Sequence, residues 1–287
     1  DGPARTFAGQ FQIAFAIPSV DEPLKSMPVY DPNALRKEFE AYWNGLMAKV
    51  AAVDIPEKPF SDLVRNLLTQ CLIITLDGDT VRYGAYFYES YFGIEEGWPA
   101  VALAQFGFPD LAKRILRTMI KPEFMSKGDY HHQYRNGLDP WYAITIGRLL
   151  QDDAWLREIS GMAKECADWT IKVTSENKDP NWGGTLPKHI YGGDVGMPAY
   201  SFYSNATCWR GLNDTAWLCS HLGESALAKT YQEKADAYRK RLNELADKLV
   251  DRSNGVPFLP MSFDLDTPSG HREKEPAYAF LATHTTS

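Results

Sequence analysis

Leu138-Asp-Pro-Trp-Tyr-Ala-Ile-Thr-Ile-Gly-Arg-Leu-Leu150 reads as a helix that is apolar almost all round. At Asp153 an amphipathic helix follows and runs to about Thr174. A helix apolar on every side must be buried on every side, whereas an amphipathic one covers it from outside. The same pair recurs before and after. Glu95 to Phe106 is apolar nearly all round; Pro109 to Lys121 then sets Leu111, Ile115, Leu116 and Met119 against Lys113, Arg114 and Arg117. Asn205 to Leu222 is again largely apolar, and Ser225 to Val250 carries a heavily charged face. Two earlier helices are marked by Leu35, Phe39, Tyr42, Trp43, Leu46 and Val50, and by Leu63, Val64, Leu67, Leu68, Cys71 and Leu72 at helical spacing. The expected fold is all-α, an inner ring of helices wrapped by an outer ring.

The joints between helices sharpen this. Gly107-Phe-Pro-Asp-Leu-Ala-Lys113, Gln151-Asp-Asp-Ala-Trp-Leu-Arg157 and Gly223-Glu-Ser-Ala-Leu-Ala-Lys229 resemble one another, and each links an inner helix tightly to the outer helix after it. The opposite connections, about 76–94, 122–137, 176–204 and 251–277, are long. In an up-down arrangement they all fall at the N-termini of the inner helices. Long loops on one rim of a rigid scaffold, facing the positive ends of helix dipoles, are where chemistry is expected.

Composition excludes several classes. The 287 residues are 44% hydrophobic and 23% charged, which is ordinary for a folded protein. The net charge of −7, without Lys/Arg clusters, gives no electrostatic grip on nucleic acid. The longest apolar runs, such as that around Trp141 to Ile146, are too short to span a bilayer. Cys71, Cys166, Cys208 and Cys219 lie in helical segments without C-x-x-C spacing, so buried free thiols are expected, with no metal site and no cofactor. Aromatic residues are plentiful (8 Trp, 15 Tyr, 14 Phe), which suits both a core and a site for a ring-shaped polar ligand.

Residues 1–32 read differently from the rest. Phe11 to Ile17 is a short β-prone run, followed by Pro18, Pro23, Pro28 and Pro32. This segment is read as a strand and Pro-rich linker, the remnant of a preceding β domain, and 33–287 as the toroid domain.

Three stretches carry a resemblance to a known family. They are Ile94-Glu-Glu-Gly-Trp-Pro-Ala-Val-Ala-Leu-Ala-Gln-Phe-Gly107, Gly184-Thr-Leu-Pro187 followed by Gly193-Asp194, and the helix ending Ser220-His-Leu-Gly223. Over roughly residues 33–280 the chain resembles the six-hairpin glycosidases, the (α/α) toroid group of glucoamylases, trehalases and α-L-rhamnosidases. In glucoamylase-like members an Arg-Asp pair opens an inner helix and its Asp holds sugar hydroxyls; here Ile94 and Glu95 stand at those positions. A carboxylic general acid, more usually Glu, follows the Gly-Leu-Leu-Pro-like segment; here Asp194 stands there. The resemblance implies an inverting glycoside hydrolase acting on a plant or microbial oligo- or polysaccharide.

Glycoside hydrolysis needs a protonated carboxyl at the leaving oxygen and a second carboxylate opposite. Asp194, in Tyr191-Gly-Gly-Asp-Val-Gly196, is the candidate acid, although Gly-Gly-Asp is also ordinary turn chemistry. Glu96 is the candidate second catalytic carboxyl and Glu95 a substrate ligand; both also suit a helix N-terminus on electrostatic grounds alone. Trp98, Arg82 and Tyr86 on the first rim, His132 and Arg135 on the second, and Trp182, Tyr191 and Tyr203 around the third are candidate sugar contacts. A solvated polar rim or aromatic core explains such residues equally well. His131 and His132 are adjacent and lack a third ligand at metal spacing, so no metal is expected. With His189 they keep a sugar epimerase open, and a polysaccharide lyase or a non-catalytic carbohydrate-binding module would suit the same scaffold. Eight helices make four hairpins where a ring of this type takes six, with Pro276 to Thr283 resembling the start of another helix. Completion by further domains of the same protein or by a second chain is therefore expected. The catalytic base of glucoamylase-like rings comes from the last hairpins, so these residues alone are expected to lack it and to show no hydrolytic activity.

Overall fold

The computed structural model describes residues 31–53, 55–75, 81, 95–121, 132–192, 195–252, 255, 257–260 and 262–264, with 190–197 followed through the backbone alone where they are included. The strand expected at 11–17 and the helix expected at 276–283 lie outside the described residues. The chain divides into two compact units between Ala52 and Val53. In the first, α1 (Pro32–Met47) is capped by Asp31, whose carboxylate accepts from the Asn33 amide at 2.9 Å, and begins with Pro at its first position.

Among the described residues the second unit is helical apart from one small hairpin and isolated bridges. The helices described there are α2 (Lys58–Ile73), α3 (Gly97–Gln105), α4 (Pro109–Met119), α5 (Arg135–Leu150), α6 (Asp153–Glu176), α7 (Phe202–His221) and α8 (Ser225–Leu249). β1 (His189–Gly192) and β2 (Val195–Ala199) pair antiparallel within the connection from α6 to α7. Each inner helix packs against the next, α3 on α5 and α5 on α7. The outer helices sit in the grooves behind them: α4 against α3 and α5, α6 against α5 and α7, α8 against α7. The periodicity of the sequence is thus converted into two layers. Ile115, Leu116 and Met119 of α4 and Trp155, Leu156 and Ile159 of α6 turn inward and are buried, and the Trp155 indole donates to the Ala143 carbonyl of α5 at 2.8 Å.

The three look-alike turns share one conformation. Gly107, Gln151 and Gly223 have φ of 103°, 52° and 84°. The next residue in each case donates back to the carbonyl five positions earlier: Phe108 to Leu103, Asp152 to Gly147 and Glu224 to Cys219, at 2.8, 3.0 and 2.8 Å. These are Schellman closures, which favour glycine at the left-handed position. Gln151 is the exception. A side chain there carries strain of roughly 1–2 kcal/mol, part of it recovered through the stiffer unfolded chain. Gln151→Gly is therefore expected to raise the free energy of unfolding by about 1 kcal/mol. Urea denaturation checks it; a destabilised variant would mean that the glutamine side chain makes a compensating contact.

Inner helices run parallel. Along α5 and α7 the contacts advance together, from Gly137 against Thr207, through Trp141 beside Arg210, to Arg148 beside Asp214 and Trp217. Glycine permits the closest approach: a Cβ on Gly137 would fall 2.1 Å from the Thr207 carbonyl oxygen, and one on Gly211 2.7 Å from the Gly137 Cα. The outer layer advances in step as well. Lys113 pairs with Asp152, Arg117 Nε lies 2.6 Å from Glu158, Lys164 Nζ lies 2.6 Å from Glu224, and the Tyr231 hydroxyl donates to Asp168 at 2.8 Å.

The connections into α5 and α7 consequently meet at one end. Gln133 Nε2 donates to the Pro187 carbonyl at 3.1 Å, and Cys208 Sγ donates to the Gln133 carbonyl at 3.3 Å. The Phe263 amide donates to the Tyr200 carbonyl at 2.9 Å, bringing residues 262–264 to the same place. Asn205 is buried beneath, accepting from the Leu186 amide at 2.9 Å and from the Tyr238 hydroxyl at 2.6 Å. Among the described residues no helix is long and apolar enough to cross a membrane.

Candidate functional site

The start of α5 holds a cluster of buried ionisable groups. Arg135 lies in its first turn and Asp139 one turn on, a separation that puts both on one face. Arg135 Nη2 and Nε donate to Asp139 Oδ2 at 3.1 and 3.3 Å, and Nη2 also donates to the Met119 carbonyl at 2.9 Å. That second bond ties the C-terminal turn of α4 to the N-terminal turn of α5. Both side chains are withdrawn from solvent, Asp139 completely. Glu96, the residue before α3, is equally buried and near enough for its charge to act on Asp139.

The carboxyl of Asp139 is pushed up to about 7. Burial, which disfavours the ionised form, is the largest cause; Arg135 opposes it and Glu96 adds to it. Folding therefore takes up a proton at Asp139 across the window from its ordinary value near 3.8 to about 7. Stability from this group is full below the window and is lost as pH rises through it. Asp139→Asn removes that dependence while also taking away the partner of Arg135. The variant is expected to be less stable than the parent in acid, and the gap should move in the variant's favour by roughly 4 kcal/mol between pH 4 and pH 8. Chemical denaturation at a series of pH values reads this directly; a gap independent of pH would show that Asp139 does not titrate there.

Aromatic side chains stand at or near the starts of α3, α5 and α7. Trp98, in the first turn of α3, is 40% exposed and meets Trp141 edge-on at 4.8 Å and Tyr142 at 5.5 Å. A Cβ on Gly97 would fall 2.1 Å from the Tyr142 ring, so glycine lets α3 seat against α5. His132 stacks on Tyr134 with ring centroids 5.0 Å apart, and Tyr134 meets Tyr203 edge-on at 5.4 Å.

Of the residues singled out from the sequence, Glu95, Glu96, Trp98, His132, Arg135 and Tyr203 all belong to the ends where α3, α5 and α7 begin. Glu95 and Trp98 are exposed there, whereas Glu96, His132 and Arg135 are buried. Trp182 is in a different setting: it packs on Phe263 at 5.8 Å and Tyr200 at 6.2 Å, with the Lys248 ammonium of α8 5.8 Å from its ring, in a small core beneath the connection. Asp194, Arg82 and Tyr86 lie outside the described residues, as does the side chain of Tyr191, whose backbone belongs to β1. Asp139, Tyr134 and Tyr142 are not among the residues that sequence reasoning singles out. The signal available for Asp139 is its i,i+4 spacing from Arg135 inside an otherwise apolar helix. No group of three or more metal-ligating side chains occurs among the described residues. No protein-family model, curated protein or solved structure matches the chain.

Proposed function

We propose that the second unit is built on an (α/α) toroid, of which α3–α4, α5–α6 and α7–α8 are successive hairpins, and that it acts on saccharides as a glycoside hydrolase. The observation that supports this best is the convergence of parallel inner-helix N-termini, long connections, acidic residues and an exposed Trp98 at one end. Helix dipoles directed at that end favour anionic groups there. In this reading Asp194 is the general acid, Glu95 and Trp98 contact the sugar, and the buried Glu96, Arg135 and Asp139 hold the rim in register. Glu96 is a positioning residue rather than the group that activates water, because its carboxyl is enclosed. Burial of His132 against Tyr134 favours hydrolysis over an epimerase that would use its ring as a proton carrier at the rim.

The test is product analysis. The protein, in the form in which its source cells make it, is incubated with a panel of oligosaccharides and aryl glycosides, and new reducing ends are followed by anomer-resolved NMR. The reading expects one class of saccharide to be cut with inversion. Binding without any product would replace it with a carbohydrate-binding module, and a changed sugar stereocentre without cleavage would replace it with an epimerase.

A further inference from the structure

The face of α5 and α7 turned away from the outer helices carries a second cluster, separate from the acidic one. Arg148 Nη1 and Arg210 Nε lie 3.6 and 2.8 Å from the two oxygens of one carboxylate, Asp214. Asp214 is almost wholly buried (4% of its side chain exposed), while the two arginine side chains remain 42% and 49% exposed. Two guanidinium groups against one carboxylate leave a positive charge on this face of a chain whose net charge is −7. Each guanidinium also sits over an indole: Arg148 4.1 Å from the Trp217 ring centre, Arg210 5.7 Å from that of Trp141. Stacking and the shared carboxylate hold both guanidinium groups while their side chains stay 42% and 49% exposed, and arginine receives a planar oxyanion through paired hydrogen bonds.

The row is continuous with the rim. Trp98 contacts Trp141, Trp141 lies beside Arg210, and Arg148 follows about 10 Å further along α5 at the helical rise of roughly 1.5 Å per residue. A sugar stacked at Trp98 would thus direct its next residues toward the guanidinium pair. We infer that the saccharide is anionic, its carboxylate or sulfate received by Arg148 and Arg210 on the inner face of α5 and α7. This rests on the saccharide reading above and names the substrate class within it. The arginines supply binding and specificity and take no part in bond cleavage.

Titration calorimetry of the whole chain tests it with trigalacturonate and its methyl ester, and with a sulfated galactose trisaccharide and its desulfated form. At least one anionic member should bind tenfold or more tighter than its neutral counterpart, and added salt should erase the preference. Arg148→Gln and Arg210→Gln, each of which leaves the other guanidinium on Asp214, should bring anionic affinity down to the neutral level without changing the neutral affinity. If a variant fails to fold, the anionic-to-neutral ratio of the parent protein and its salt dependence still decide. Equal binding of anionic and neutral forms, or a preference that survives both substitutions, overturns the inference and leaves the saccharide reading standing. Absence of binding by every member overturns both. A dimer that the same substitutions dissociate, without any saccharide preference, also overturns it and assigns the face to a second copy of the chain.

Discussion

Arg135→Ala is expected to lower the free energy of unfolding by about 3–5 kcal/mol at pH 8. The substitution removes the guanidinium that faces Asp139 and leaves that carboxyl enclosed beside Glu96, with no compensating charge from the helix it starts. It also removes the bond from Nη2 to the Met119 carbonyl that joins the ends of α4 and α5. The cost has a pH signature. Without Arg135 the Asp139 carboxyl rises further above about 7, so the difference between parent and variant grows as pH climbs from 7 to 9 and shrinks at pH 5, where Asp139 is protonated in both. Urea unfolding at pH 5 and pH 8 checks this. Equal costs at the two values would mean that Arg135 acts through packing rather than charge.

In the intact protein, in the form in which its source cells make it, Asp194→Asn is expected to reduce turnover by about two to four orders of magnitude, the range that a positioned general acid contributes. Asparagine keeps the size and hydrogen-bonding capacity of the side chain but has no proton to give to a leaving oxygen. On the proposed reading saccharide affinity and the unfolding midpoint should therefore stay at parental values while kcat falls. Aryl glycosides sharpen the result, since a leaving group of low pKa needs little protonation and should lose less rate than an alkyl glycoside. Loss of affinity together with rate would make Asp194 a ligand, and unchanged kcat would remove it from the mechanism.

The hairpins were legible because burial is written as periodicity: Leu138 to Leu150 is apolar almost all round, and the helix from Asp153 has one apolar face. Even the turns were legible, since Gly107, Gln151 and Gly223 share a position and a left-handed backbone. The start of α5 was not. Its first turn, Arg135-Asn-Gly137, belongs to the connection expected at 122–137, ahead of the helix expected from Leu138, and Pro140 cannot donate to the Asn136 carbonyl. It is helical where Arg135 donates to Asp139 one turn on and Gly137 fits against α7. The hairpin of β1 and β2 was hidden for a related reason: its strands are short and include Gly196 and Pro198, so neither the alternation nor the propensity of a strand is visible. In the site, Arg135 and Asp139 are within reach by helical spacing alone. Glu96 joins them only because α3 lies beside α5, a tertiary fact with no trace in local sequence.

Whether this end of the molecule recognises sugar is tested most directly by titrating the 287-residue chain with a panel of neutral and acidic oligosaccharides, followed by calorimetry, alongside Trp98→Ala. Binding requires the rim but not the complete catalytic pair, so it probes the claim even without turnover. At least one saccharide should bind, and Trp98→Ala should weaken it tenfold or more, a loss of about 1.4 kcal/mol from one stacking platform. No binding by any member of the panel, or an affinity that Trp98→Ala leaves unchanged, would contradict the assignment of this rim as a saccharide site.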